Sequence, residues 1–338
     1  MEYLRPIPLT GPAMPPGSLP LAGGPVRFTH VEVLSRGKAP VLRAAADLPL
    51  AALDPFTAPR APLAGLTLDR PRLMGILNVT PDSFSDGGAA ADPGTAIARV
   101  HAMRAAGADL IDIGGESTRP GATPVPVTEE IARVLPVVGA LATDAPDLPI
   151  SLDTRNAATA RAAPTAVIND VSGLRHDPGI ATVAADTGAA LVLMHSIGTP
   201  ETMQTLADDA YDEVLFDVFD ALGQMRDRAE AAGVPRARIL LDPGIGFGKT
   251  DAHNRALLER ISLFHGLGCG LLLGVSRKGM IGRIGEISDA TARGPASAAV
   301  GLWAVSQGIQ MLRVHDIGVH AQMLRLWRAV SGMGATDG

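Results

Sequence analysis

The chain has 338 residues, 46% of them hydrophobic and 19% charged, which is enough for one large core or two modest ones. A net charge of -6 and an isoelectric point near 5.7 argue against a general nucleic-acid binder, which needs a basic surface. A single cysteine, Cys269, rules out an intrachain disulfide and a cysteine-based zinc site.

The first 70 residues are rich in proline. Twelve of the chain's 27 prolines lie before Pro71, and proline removes a backbone donor and interrupts helices. FTHVEVLSR (residues 28–36) alternates well enough for one strand. Residues 1–70 therefore read as a Pro-rich N-terminal extension with room for a hairpin, draped over a main body at 71–338. Such a segment has few periodic apolar positions, so a chain lacking residues 1–68 is expected to fold. MEYLRPIPLTG has no cationic start followed by an apolar stretch, so no secretory leader is expected.

From Leu73 onward, apolar strands alternate with amphipathic helices. The predicted strands are residues 73–79, 109–115, 149–153, 166–170, 190–195, 238–242, 270–276 and 309–315. Helical periodicity falls at residues 95–107, 129–142, 212–233 and 254–268, several of these patterns ending on Gly, the favoured residue just past a helix. Continuous apolar strands between helices imply a parallel sheet covered on both faces. Eight such units in about 260 residues match a (β/α)₈ TIM barrel. A doubly wound open sheet is the rival, but it normally carries a phosphate-binding Gly fingerprint after its first strand, and NVTPDSFSDGG is not one. The longest apolar runs, such as CGLLLGV, are too short to span a bilayer, and the expectation is a soluble, cytoplasmic protein.

The strands stop on polar residues. In order they end on Asn78; on Glu116 to Arg119; on Asp153; on Asn169 and Asp170; on His195; on Asp242; on Ser276 to Lys278; and on Arg313 and His315. Any one of these could cap the next helix. Eight together imply a polar pocket at the C-terminal end of the barrel, where such folds bind ligands. Asp153, Asn169 and Asp242 suit the amino-pyrimidine edge of a flat heterocycle, because carboxylates accept and a carboxamide both donates and accepts. Arg277, Lys278, Arg313 and His315 suit an anionic group, such as a phosphate, at the opposite side. PGIGFGKT (residues 243–250) imitates a Walker A loop, but Pro243 stands where its first glycine must be, and it follows a sixth strand. Its glycines are expected to bend the chain beside the pocket and display Phe247.

LNVTPDSFSDGG, DIGGESTRPG, ISLDT, VINDVSG, LMH, LLDPGIGFGK, GVSRK and RVHD occur in this order. With these motifs the chain, from about Leu73 to its end, closely resembles the dihydropteroate synthases. The resemblance implies a folate-pathway transferase that joins (7,8-dihydropterin-6-yl)methyl diphosphate to 4-aminobenzoate, a Mg²⁺ cofactor, inhibition by sulfonamides and a homodimer. Carried over motif by motif, it implies pterin contacts at Asp153, Asn169, Met194, Asp242 and Lys278. Asn78 would meet Mg²⁺ and diphosphate, with Thr118, Arg313 and His315 also on the diphosphate. Phe84, Thr118, Arg119, Pro120, Phe247 and Ser276 would surround 4-aminobenzoate, the two phenylalanines flanking its ring. The loops carrying Phe84 and Thr118 to Pro120 are expected to close only after the first substrate binds, completing the second site. Two rivals stand beside this reading. One is a methyltetrahydrofolate-dependent corrinoid methyltransferase, which has no diphosphate to hold with SRK and RVH. The other is a non-catalytic pterin-binding scaffold, which has no use for Asn78 and the STRPG loop.

Overall fold

The computed structural model describes residues 1–80, 93–117, 124–199 and 201–332. Five short strands and a helix come first: β1 (Tyr3–Pro6), β2 (Leu19–Pro20), β3 (Arg27–Phe28), β4 (His30–Leu34), β5 (Val41–Ala44) and α1 (Leu50–Thr57). β1, β4 and β5 make a three-stranded antiparallel sheet, and β2 pairs with β3.

Eight parallel strands then close into a barrel in chain order. They are β6 (Arg72–Asn78), β7 (Leu110–Gly114), β8 (Ile150–Asp153), β9 (Val167–Asp170), β10 (Ala190–Met194), β11 (Ile239–Asp242), β12 (Gly270–Leu273) and β13 (Met311–Val314). The surrounding helices are α2 (Pro93–Ala106), α3 (Val127–Asp144), α4 (Ala157–Ala162), α5 (Gly179–Thr187), α6 (Val214–Ala231), α7 (Asp251–Glu259), α8 (Gly279–Ile284), α9 (Gly294–Ser306) and α10 (Ile317–Val330). Each predicted strand coincides with one of the eight, and the architecture is the expected (β/α)₈ barrel. Local chemistry sets several boundaries. Gly188 ends α5 in the left-handed region (φ 74), and Thr250 caps α7 by accepting from the His253 amide. No helix among the described residues is long and apolar enough to cross a membrane.

Strand side chains alternate, so one parity faces the shaft and the other faces the helices. The lower shaft is filled by Met74, Leu110, Val167, Val192, Leu240, Leu272 and Met311. Two residues further along the same strands, the same parity gives Asp112, Asn169, Met194, Asp242 and Arg313. Five of these seven inward apolar residues are thus the base on which a functional group is raised, while Met74 and Leu272 lie below Ile76 and Gly274.

The N-terminal extension differs from its compositional reading. Leu63 and Leu68 are buried in the shaft cluster and close the barrel's lower end. Leu21, Phe28, Val31 and Phe56 are also buried in the main core, and the Tyr3 ring stacks on Phe216 of α6 at 4.5 Å between centroids. Proline limits the length of its elements but leaves their apolar side chains free to pack, and it is the packing that composition does not display.

Candidate active site

Above the apolar floor lies a buried polar layer with Asp112 at its centre. One Asp112 oxygen accepts from Ser151 Oγ at 2.6 Å, and the other accepts from Asn169 Nδ2 at 2.9 Å and Arg313 Nε at 2.5 Å. A second Arg313 nitrogen donates to Asp153 Oδ2 at 2.7 Å. Burial works against the Arg313 charge, but Asp112 and Asp153 outweigh it and raise the guanidinium's pKa. The layer therefore fixes the Asn169 amide and holds Asp153 upright. Burial pushes the Asp153 carboxyl upward, with the Arg313 charge opposing.

Asp153 Oδ1 is buried and has no hydrogen-bond partner among the described residues. An acceptor in that state is costly unless a ligand supplies the donor. Asp242, at the end of β11, accepts from the Gly244 amide at 2.7 Å, and burial raises its carboxyl while Lys278 pulls it back. Lys278 donates to the carbonyl of Ile245, and its nitrogen stands 4.3 Å from the centre of the Phe247 ring. Met194 is buried and lies beside Asp242 in strand register. Asp153, Asn169, Met194, Asp242 and Lys278 thus come from five consecutive or near-consecutive strand ends onto one shaft. A cavity of about 160 Å³ opens beside Phe247, lined by Arg155, Ser172, Arg175 and Ser196 among others.

At the mouth, Asn78 Oδ1 and Asp153 Oδ2 both lie 3.6 Å from the point where a Gly114 Cβ would stand, so a side chain at this position would press on both. Ser276 Oγ accepts from the His315 amide at 3.1 Å and lies 3.0 Å from His315 Nδ1. Arg277 does not join this group. Its backbone is left-handed (φ 60), and its guanidinium is paired with both oxygens of Asp316, at 2.9 and 2.5 Å. That turn sends Arg277 outward and Lys278 inward. Arg313 is turned down onto Asp112 and Asp153, so the basic side expected at the mouth is reduced to Lys278 and His315. Phe84, Thr118, Arg119 and Pro120 lie outside the described residues.

Several contributors were not singled out from sequence. Asp112 had a visible signal, a carboxylate between Ile111 and Ile113 within an apolar strand. Ser151 and Arg155, which pairs with the strand-end residue Glu116 (2.8 and 3.0 Å), had none, since serine and surface-type charges are common in strands and loops. Lys249, buried beside His195 at 2.9 Å, was hidden inside the rejected Walker-like run.

No group of three His, Cys, Asp or Glu side chains gathers around a point among the described residues. Asn78 nonetheless offers a carboxamide oxygen at the mouth, the kind of ligand that Mg²⁺ takes beside waters and phosphate oxygens in place of a full protein cage.

Burial pushes the Lys278 amine down to about 8, against the pull of Asp242. The ammonium is the donating form, so ligand binding by this pocket is expected to fall as pH rises through that value. A binding profile that stays flat to about pH 10, where free lysine titrates, would take Lys278 out of the site.

A family model described as "Pterin binding enzyme" matches residues 74–315. The chain is 42% identical over 267 residues to the dihydropteroate synthase of Escherichia coli K12, covering 78% of this chain and 93% of that protein. It is 46% identical over 253 residues to a probable bifunctional folylpolyglutamate synthase/dihydropteroate synthase of Haloferax volcanii; the match covers 74% of this chain but only 29% of that longer protein. Among solved structures, the dihydropteroate synthase of Xanthomonas albilineans with 4-aminobenzoic acid superposes with a TM-score of 0.74 at 44% identity, covering 80% of this chain and 98% of that one.

Proposed function

Because this chain belongs to the pterin-binding enzyme family, we infer that it condenses (7,8-dihydropterin-6-yl)methyl diphosphate with 4-aminobenzoate to give 7,8-dihydropteroate and diphosphate. The observation that carries this reading is Asp153 Oδ1, a buried acceptor awaiting a donor beside Asn169 and opposite a second buried carboxylate, Asp242. An amino-pyrimidine edge supplies the N–H groups that such acceptors need.

The reaction follows from the charges. The bond between the pterin CH₂ and the diphosphate oxygen breaks, and the electron pair leaves with diphosphate. The electron-rich dihydropterin carries the cation left behind, and the carboxylates of Asp153 and Asp242 favour that charge. The arylamine nitrogen then forms the new C–N bond and loses a proton, so no protein nucleophile is needed. Phe247, with Lys278 against its face, is one wall for the aminobenzoate ring, and Ser276 meets its carboxylate. Asn78, His315 and Arg313 receive the diphosphate end, Arg313 by exchanging its carboxylate partners for phosphate oxygens. Mg²⁺, when bound with diphosphate at Asn78, neutralises the leaving group's charge.

The same reading makes the protein cytoplasmic, sulfonamide-binding and homodimeric. Trp303 on α9 and Leu326 and Val330 on α10 are exposed apolar groups that support a self-association face. The test is diphosphate release from the pterin substrate with and without 4-aminobenzoate. Release that depends on the arylamine, with 7,8-dihydropteroate formed in equal amount, is expected. Pterin binding without any release would instead favour the scaffold.

A further inference from the structure

Lys249 has no part in the chemistry above, yet it is one of three lysines in the chain and only 3% exposed. Its terminal nitrogen lies 2.9 Å from His195 Nδ1 and 3.3 Å from the His195 carbonyl. It lies 3.0 Å from the carbonyl of Gly244 and 3.2 Å from that of Phe247. An amine buried this deeply is unfavourable without such partners. The four acceptors come from two places: His195 follows β10, and the others belong to the turn after β11.

That turn is packed tightly against the end of β10. Gly244 has φ 69, and a Cβ there would stand 1.8 Å from the His195 carbonyl oxygen; Gly248 has φ 63, and its Cβ would stand 2.1 Å from Ile197 Cγ1. Side chains are excluded on both sides of the turn, so little besides Lys249 is available to bind its inward carbonyls. The surroundings reinforce the arrangement. Tyr211 donates its hydroxyl to the Gly248 carbonyl at 3.0 Å, and Asn254 Oδ1 accepts from the Gly246 amide at 2.8 Å. What the turn displays is Phe247, with the Lys278 nitrogen over its face.

We propose that Lys249 is a positioning residue for the second substrate: by holding the Gly244 and Phe247 carbonyls and the His195 ring at once, it fixes the turn that presents Phe247 to the 4-aminobenzoate site. The identity of that substrate rests on the proposed reaction, whereas the fixing of the turn rests on the geometry alone.

Lys249→Met keeps a side chain of similar length and removes the amine. The expected result is a KM for 4-aminobenzoate raised about tenfold or more, with the KM for the pterin diphosphate held within about twofold. Hydrogen exchange at the Gly246 and Phe247 amides should speed up by about tenfold or more in the same variant. If Lys249→Met does not fold, His195→Asn and His195→Leu test the same contact. Asn places an oxygen near the site of Nδ1 and should retain the wild-type KM, while Leu should show the selective rise. Equal increases for both substrates would reduce Lys249 to a general stabiliser and overturn the proposal, as would unchanged exchange and unchanged KM. A wild-type protein that turns over no substrate, but whose turn still loosens in Lys249→Met, would overturn the reaction and leave the fixing of the turn standing.

Discussion

Removal of residues 1–68 is expected to yield an insoluble or largely unfolded barrel. Composition alone suggests the opposite, since the segment is rich in proline and poor in periodic elements. In the structure, however, Leu21, Val26, Phe28, Val31, Leu53, Phe56, Leu63 and Leu68 are all buried, each at most 3% exposed. Burying a side chain of this kind contributes roughly 1.5–3 kcal/mol, so eight together are worth about 12–24 kcal/mol. Whole domains are stable by only about 5–15 kcal/mol. Leu63 and Leu68 carry a further consequence, because without them Met74, Leu240 and Met311 would line a shaft open to water at its lower end. The check is the soluble yield and thermal melt of the truncated chain beside the full one. A truncated protein with a cooperative melt within a few degrees of the parent would show that the barrel closes by itself.

Asp242→Asn is expected to weaken pterin binding by about 10- to 150-fold, the range that corresponds to losing about 1.5–3 kcal/mol from a charge-assisted pair. Folding should be spared. The Asn oxygen can still accept from the Gly244 amide, and the substitution removes a carboxylate that burial already disfavours. Lys278 loses its opposing charge in this variant, so its amine should titrate lower still and move the high-pH limb of binding down with it. Calorimetry of pterin binding, together with a melt of the same sample, separates the two effects. Unchanged affinity in a folded variant would place Asp242 outside the pterin pocket.

The barrel and its mouth can be read from the chain before any coordinates. Strand identity was legible because runs such as ALVLM and ILLD are apolar on both faces, as strands covered by helices must be. The polar ends at Asp153, Asn169 and Asp242 were legible because each interrupts such a run at its last residues. Which charges face which depends on how the chain closes. Arg277 and Lys278 are neighbours in sequence, but a single left-handed residue sends one to Asp316 and the other into the shaft. Arg313 turns down to Asp112, 201 positions away in the chain, because barrel closure places β13 and β7 on either side of β6. The role of Leu63 and Leu68 was likewise decided by closure, since the floor they complete is built from side chains on different strands that meet only when the barrel forms. Periodicity reports the environment of a residue along its own element. Partners contributed by distant elements leave no trace in that local pattern, and the buried polar layer and the N-terminal plug are both made of such partners.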